Sequence, residues 1–411
     1  MRLLAPLKLT SFRNMIYGRL LVSVGNAFRF VAIPWLIYRV TDSPLMLGLS
    51  FFLRQITAFI FTPLSGVWAD KLNPKKYFLF GHFLFAFIDL TLGTLALIGW
   101  VNIWVLLIGQ LLLGLFNAIE MPVRQIMIHQ NIEDKSMLVS GISLNGALFQ
   151  TCRILFPSFA GITINYFGNE GVCILLNGIL VLLAIYFYSK TNEIVKPKEK
   201  GKKTFEELKI GFKYSIKSRP IFTVITLTSL LTLLTLSINV LFPVLSKDVF
   251  LGDAKEMGVL ISALGVGGIM GSLLIGNRKD IGKLDRDIIV GAFGVAIAVA
   301  GLGISSNYYL SLLFLVIIGL GKSVVFASTN TIIQSISAPK FRSRVLGLYI
   351  TSFMGAMMIG SILMGSGADY LGVQNTLIIG GCICFGLLFL IIKNRKPLKF
   401  RGIRMYKLVV E

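Results

Sequence analysis

The sequence predicts an all-α polytopic membrane protein, twelve transmembrane helices in two pseudo-symmetric six-helix bundles. Three observations carry that expectation. Of the 411 residues, 55% are hydrophobic and only 14% charged, and mean hydropathy is +0.80. A soluble domain carries about 25% charged residues to face water, so most of this chain's outer surface faces lipid. The apolar residues fall into twelve stretches, each near the roughly 20 residues that a helix needs to cross a bilayer. The longest polar interruption lies at the centre with six stretches on either side, the pattern of a duplicated unit found in secondary transporters.

The first half holds stretches at 14–38, 45–68, 75–99, 102–128, 137–167 and 171–189. The second holds 220–246, 256–277, 287–306, 308–336, 343–368 and 373–392. Turn chemistry separates them at Thr41-Asp42-Ser43-Pro44, Leu72-Asn73-Pro74, Gly168-Asn169-Glu170 and Ser305-Ser306-Asn307. The expected organisation is a bundle over 1–189, a basic linker over 190–219, a second bundle over 220–393 and a basic tail over 394–411. Within the linker, Phe205, Leu208, Phe212 and Ile216 share one side of a possible surface helix over 204–217, with a solvated linker as the alternative. The first stretch is too long for a cleaved signal and contains Arg19 and Arg29.

Forty Lys and Arg against nineteen Asp and Glu give a net charge of +21. On a soluble chain that excess would suggest nucleic acid. Threading the twelve stretches through a bilayer puts 31 of the basic residues on one side, 3 on the other and 6 within spans. Positive charge stays on the cytoplasmic side, so both termini are expected there and no nucleic-acid partner is needed. Cys152, Cys173, Cys382 and Cys384 lie in apolar stretches without metal spacing to His82 or His129, and neither a metal site nor a disulfide is expected. Gly321-Lys322-Ser323 has Val316 where a phosphate loop needs its first glycine, and Gly265 to Gly271 lacks the strand of a dinucleotide fingerprint. The chain reads as a transporter without cofactor, not an enzyme, and its work comes from an existing gradient.

Charges inside the membrane are costly and mark function. Arg29 in the first stretch, Arg54 in the second and Arg153 in the fifth are candidates for a substrate cavity. Arg19 sits near the start of its span and can snorkel. Asp89 is the only acid deep in the third stretch, either a partner for an arginine or a proton site. Glu120 and Arg124 are four residues apart on one helix face, in the favourable order for a pair, with Pro122 between them. That pair either fixes packing or lets Glu120 exchange a proton, and Arg153 is a further candidate partner. Three midplane arginines against two acids favour an anionic or amphiphilic substrate, such as a catecholate or carboxylate siderophore. At the end of the second stretch, Gly66-Val-Trp-Ala-Asp70-Lys71 sets an acid beside cations, which suits a latch that breaks and reforms.

These residues resemble the major facilitator superfamily, and specifically its enterobactin-exporter-like and macrolide-efflux-like branch. Gly66 to Lys76 is similar to the superfamily motif G-x-x-x-D-R-x-G-R-R, with Lys71 for the first arginine, Asn73 for the glycine, and Lys75 and Lys76 for the final pair. Narrower likenesses are Ala32 to Tyr38 with Thr41 to Pro44, Asn117 to Gln125, Asn145 to Pro157 with Arg153, Asn330 to Gln334, and Arg342 to Gly347. The resemblance implies proton-driven efflux of drugs or siderophores by a monomer in the bacterial cytoplasmic membrane. A cytoplasmic gate is expected at Gly66, Asp70, Lys71 and Arg124 from the charges themselves. Partners would be a small-molecule substrate, protons and lipid. Import of a nutrient or iron complex, or lipid flipping, is the alternative.

Overall fold

The structure, a computed structural model, describes residues 2–71, 73–132, 135–192, 212–278, 284–339 and 341–394. Twelve membrane-scale helices dominate them, with no strand among the described residues. In order they are α1 (Thr10–Thr41), α2 (Pro44–Lys71), α3 (Pro74–Leu97), α4 (Ile103–Gln130), α5 (Lys135–Phe167), α6 (Gly171–Ser189), α7 (Arg219–Leu234), α8 (Ala254–Gly276), α9 (Leu284–Ile304), α10 (Tyr308–Ile336), α11 (Arg342–Leu371) and α12 (Val373–Asn394). Ten of these, together with the run Arg219–Val249 that α7 opens, are long and apolar enough to cross a membrane, and the apolar run of α4 covers Ile103–Ala118 among the described residues. The surface-helix expectation falls mostly outside the described residues, a short helix over 212–217 being its visible part.

Local chemistry sets the helix ends. Where the motif's glycine is replaced, the Asn73 side chain accepts from the amides of Lys75 (3.0 Å) and Lys76 (3.3 Å), and Pro74 opens α3. A capping asparagine followed by proline is a strong helix start, so the departure makes a cap. Asn102 and Asn307 cap α4 and α10 in the same way. The stretch read as one span over 220–246 is broken. After α7, Thr235 leaves helical geometry, Leu236–Leu241 form a 3-10 turn, and Leu245–Val249 form a π turn. Thr228, Thr232 and Thr235 each return their hydroxyl to the carbonyl four residues back, a bond that competes with the helical ladder and bends helices.

Two compact units result: Met1–Gly201 with Pro243–Ser262, and Lys202–Phe242 with Ala263–Glu411. The first unit thus takes in a segment that the sequence division assigns to the second half. Within it, Ser262 donates to the Ile154 carbonyl (2.6 Å), Tyr38 hydrogen-bonds Asp248, and Lys247 meets Asp42 (2.5 Å).

Packing repeats between the units. In the first, α3 lies on α4 and α6, and α1 on α5; in the second, α9 lies on α10 and α12, and α7 on α11. Glycine permits the closest crossings. A Cβ on Gly114 would come within 2.4 Å of the Arg54 carbonyl, and one on Gly319 within 2.0 Å of the Leu264 carbonyl. Helix α3 displays the membrane pattern in its two faces. Phe78, His82, Phe85 and Asp89, spaced four, three and four apart, are buried, while Phe80, Phe83 and Phe87 are exposed to lipid.

Candidate functional site

The ionisable side chains of the first unit gather in two layers. In one, Arg29 of α1 faces Asp89 of α3, with Nε 3.8 Å from Oδ2. Asn177 of α6 donates to the same carboxylate oxygen. Asn26 accepts from Arg29 Nη2 at 3.4 Å, and the guanidinium lies 5.1 Å from the Phe85 ring centroid. Asp89 and Asn177 are fully buried. Gly25 lets Asn177 approach, since a Cβ there would fall 2.1 Å from its Oδ1. The network is incomplete: Asp89 Oδ1, Arg29 Nε and Asn177 Oδ1 have no hydrogen-bond partner. A buried carboxylate oxygen without a donor is the costly part of such a network, and a proton bound there would relieve it.

Arg54 of α2 belongs to this layer and is not neutralised. Its guanidinium stands 5.4 Å from the Phe51 centroid, its buried Nε lacks a partner, and no acid pairs with it among the described residues. Arg29 and Arg54 line a narrow cavity of about 10 Å³, room for about one water, with Ser50, Gln110, Phe30 and Phe51. The polar layer therefore carries two cations against one acid, in a setting where apolar walls strengthen every charge.

The other layer centres on Glu120 of α4, whose Oε1 lies 2.6 Å from Arg124 Nη1 and 3.5 Å from Arg19 Nη1. Arg19 is buried, 6% exposed, and stacks on Phe149 at 5.0 Å; it is an ion-pair partner and does not snorkel. It holds the place expected for Arg153, which pairs with no acid among the described residues and is not among the cavity's lining residues. Arg19 and Arg29 are ten residues apart on α1, about 15 Å along its axis. Aromatic rings occupy the interval. Phe85 stacks on Phe116 (4.3 Å), and His82 packs edge-on to Phe116 (5.1 Å) and against Phe78 and Tyr188. His82 bonds the Phe78 carbonyl through Nδ1 and is fully buried.

Of the predicted residues, the structure joins Arg29 with Asp89, sets Arg54 beside them, and joins Glu120 with Arg124. The side chains of Gly66, Asp70 and Lys71, at the end of α2, lie outside the described residues. Sequence reasoning missed Arg19 as a partner, Asn177, Gln110 and His82. The four-three-four spacing on α3 contained the signal for His82, since it puts that residue on the face of Asp89.

Solved structures share this architecture. The chain superimposes on the nucleoside transporter NupG with TM-score 0.73 at 14% identity, covering 93% of this chain and 98% of that one. It superimposes on a D-xylose-proton symporter with TM-score 0.70 at 13% identity, covering 93% and 96%. The fold is that of the major facilitator superfamily, and the family match and curated relatives make the protein a multi-pass membrane transporter, not an enzyme. Residues 2–400 match the family described as transmembrane secretion effector, and the chain belongs to it. Curated relatives include the staphyloferrin A transporter of Staphylococcus aureus, 26% identical across 92% of this chain and 95% of the relative. Macrolide efflux protein A of Streptococcus pyogenes is 21% identical across 95% and 98%. The enterobactin exporter EntS of Shigella boydii is 23% identical across 93% and 91%.

Proposed function

We propose that the protein exports a small anionic or amphiphilic molecule, a siderophore or a drug, from the cytoplasm by alternating access coupled to protons. The observation that carries this reading is the Arg29–Arg54 cavity beside Asp89. Its excess positive charge attracts an anion, and the adjacent carboxylate has an oxygen open to a proton. Outward direction is supported by relatives named for efflux and export that align nearly end to end. Cytoplasmic termini are supported by the 31-to-3 distribution of basic residues. Asp89, with one cation at 3.8 Å, is the better proton carrier; Glu120, clasped by two arginines, is the better structural anchor. The latch over Gly66, Asp70, Lys71 and Arg124 and the monomeric state in lipid belong to the same proposal.

The test compares a deletion strain with its parent for small molecules inside and outside the cell, under iron-replete and iron-starved growth. A compound trapped inside the deletion strain is the expected result. Export by the wild type that ignores a protonophore would remove proton coupling.

One observation favours uptake as a second reading. Arg29 serves both Asp89 and the cavity, so an anion and a proton on Asp89 bind more tightly together than apart, which is the sign of symport. Substrate binding measured against pH separates the two. Exclusion of anion by proton sustains antiport and export; mutual enhancement sustains symport and uptake.

A further inference from the structure

We infer that Arg54 is the substrate anchor, and that it binds one carboxylate group, inserted head-first with Gln110 as its second contact. The inference rests on the reading of the Arg29–Arg54 cavity as a substrate site. Arg29 already has Asp89, whereas Arg54 has no acid among the described residues and a buried Nε without partner. The charge left over by Arg29, Asp89 and Arg54 together is a single positive one, which matches a monoanion. A phosphate ester carries roughly −1.5 to −2 and would leave the layer negative. A guanidinium presents two parallel N–H groups that fit the two oxygens of a carboxylate.

The remaining walls fit the same group. Gln110 of α4 is 5% exposed, lines the cavity, and makes no side-chain hydrogen bond among the described residues. Its carboxamide can donate to a carboxylate oxygen without adding charge. Ser50 gives its hydroxyl proton to the Leu47 carbonyl, so it has no donor left for the acid and Gln110 is the polar contact beside Arg54. Phe30, Ile33, Pro34 and Phe51 complete an apolar wall that suits the carbon next to a carboxylate. The cavity, about 10 Å³, has room for little more than one water molecule, so an acid group enters by parting these walls and the rest of a larger molecule stays outside.

The assignment has a second consequence that a structural arginine would lack. A cation without a counter-ion in an apolar interior destabilises the fold. Neutralising Arg54 should then stabilise the protein while abolishing acid binding, the trade expected of a functional site.

The experiment uses the full chain in lipid nanodiscs and four probes: benzoate, citrate, and their neutral counterparts benzamide and trimethyl citrate. Inorganic phosphate is a fifth. Calorimetric titration of the wild type should detect the two acids and neither neutral compound. Arg54→Gln should weaken acid binding at least tenfold and melt at or above the wild-type temperature. Arg54→Lys, which keeps the charge without the fork, should lie between, and Gln110→Leu should weaken binding severalfold. Acid binding unchanged in Arg54→Gln overturns the anchor while leaving the cavity reading intact. Phosphate binding as tightly as the acids overturns the carboxylate assignment. Failure of the wild type to bind any acid overturns the cavity reading itself.

Discussion

The two units are packed alike and filled differently. The first buries Arg19, Arg29, His82, Asp89 and Glu120; in the second, the buried polar residues among those described are hydroxyl side chains and Asn239. Many of those hydroxyls satisfy themselves locally. Thr223, Thr228 and Thr232 each bond the carbonyl one turn back, which needs no distant partner and leaves no net charge. An ion needs a charged partner: Glu120 has one a turn away in Arg124, and the other pairs draw a second helix in. Arg29 and Asp89 join α1 to α3, and Arg19 and Glu120 join α1 to α4. The repeated helix packing thus supplies a scaffold twice, while the buried charges among the described residues belong to one copy.

The largest test of that contrast is Glu120→Gln. It leaves the buried Arg19 and the partly buried Arg124 without their carboxylate, and losing one partner of a buried pair costs about 3–5 kcal/mol. A collapse in melting temperature of the purified protein is expected. Pairing the change with Arg19→Met should recover part of the loss, because one of the two stranded cations is then gone. Full stability in the single variant would show that the layer is wet and the clasp of little consequence.

Asp89→Asn should do less to stability and more to function. The pair it removes is long, 3.8 Å, and an amide in its place still meets Asn177. A cost of about 1–2 kcal/mol is expected, in the range of a hydrogen bond to a charged group. Transport should become indifferent to a protonophore. Gly25→Ala sharpens the point from a distance: its Cβ would displace Asn177, 2.1 Å away, and loosen Asp89 without altering any ionisable group. If Asp89→Asn keeps coupling and Glu120→Gln loses it at a temperature where both are folded, the roles of the two layers are reversed.

A hydroxyl of the second unit provides the control. Thr228 bonds the Val224 carbonyl and lies 3.1 Å from the Thr329 hydroxyl. Thr228→Val removes both and should cost about 1 kcal/mol, with proton coupling unaltered. A change in coupling would mean that the second unit contributes to the proton path after all.

Legibility in the sequence followed the distance over which each feature is determined. Span positions rest on local composition, and they agree with the structure except where the threonine ladder breaks the helix after α7, next to the segment 243–262 that joins the first unit. Glu120 with Arg124 was readable because four residues on a helix make one face. Arg19 with Glu120 and Arg29 with Asp89 join different helices, and no periodicity within one helix encodes which helix will be its neighbour. The same limit explains why Arg153 was a reasonable partner for Glu120 on paper and is not one in the fold.

The smallest expected effect concerns an ion of the first unit outside the spans. Glu170, between α5 and α6, is 2% exposed, and Arg39 Nη2 approaches its Oε2 at 2.7 Å without completing a hydrogen bond. Burial lifts its carboxyl above the usual range, and a backbone hydrogen bond and the charge of Arg39 only partly offset it. The folded state therefore holds a proton at pH values where the unfolded chain has released it. Stability should fall as pH rises through that window, beginning near the unfolded value of about 4.3. Glu170→Gln should melt like the wild type at pH 4 and above it at pH 8, since the 46% exposed side chain of Arg39 can return to water. The opposite ordering, with the variant weaker at pH 8, would mean that the Arg39 pair outweighs burial, and that this edge ion is compensated as well as Glu120 is.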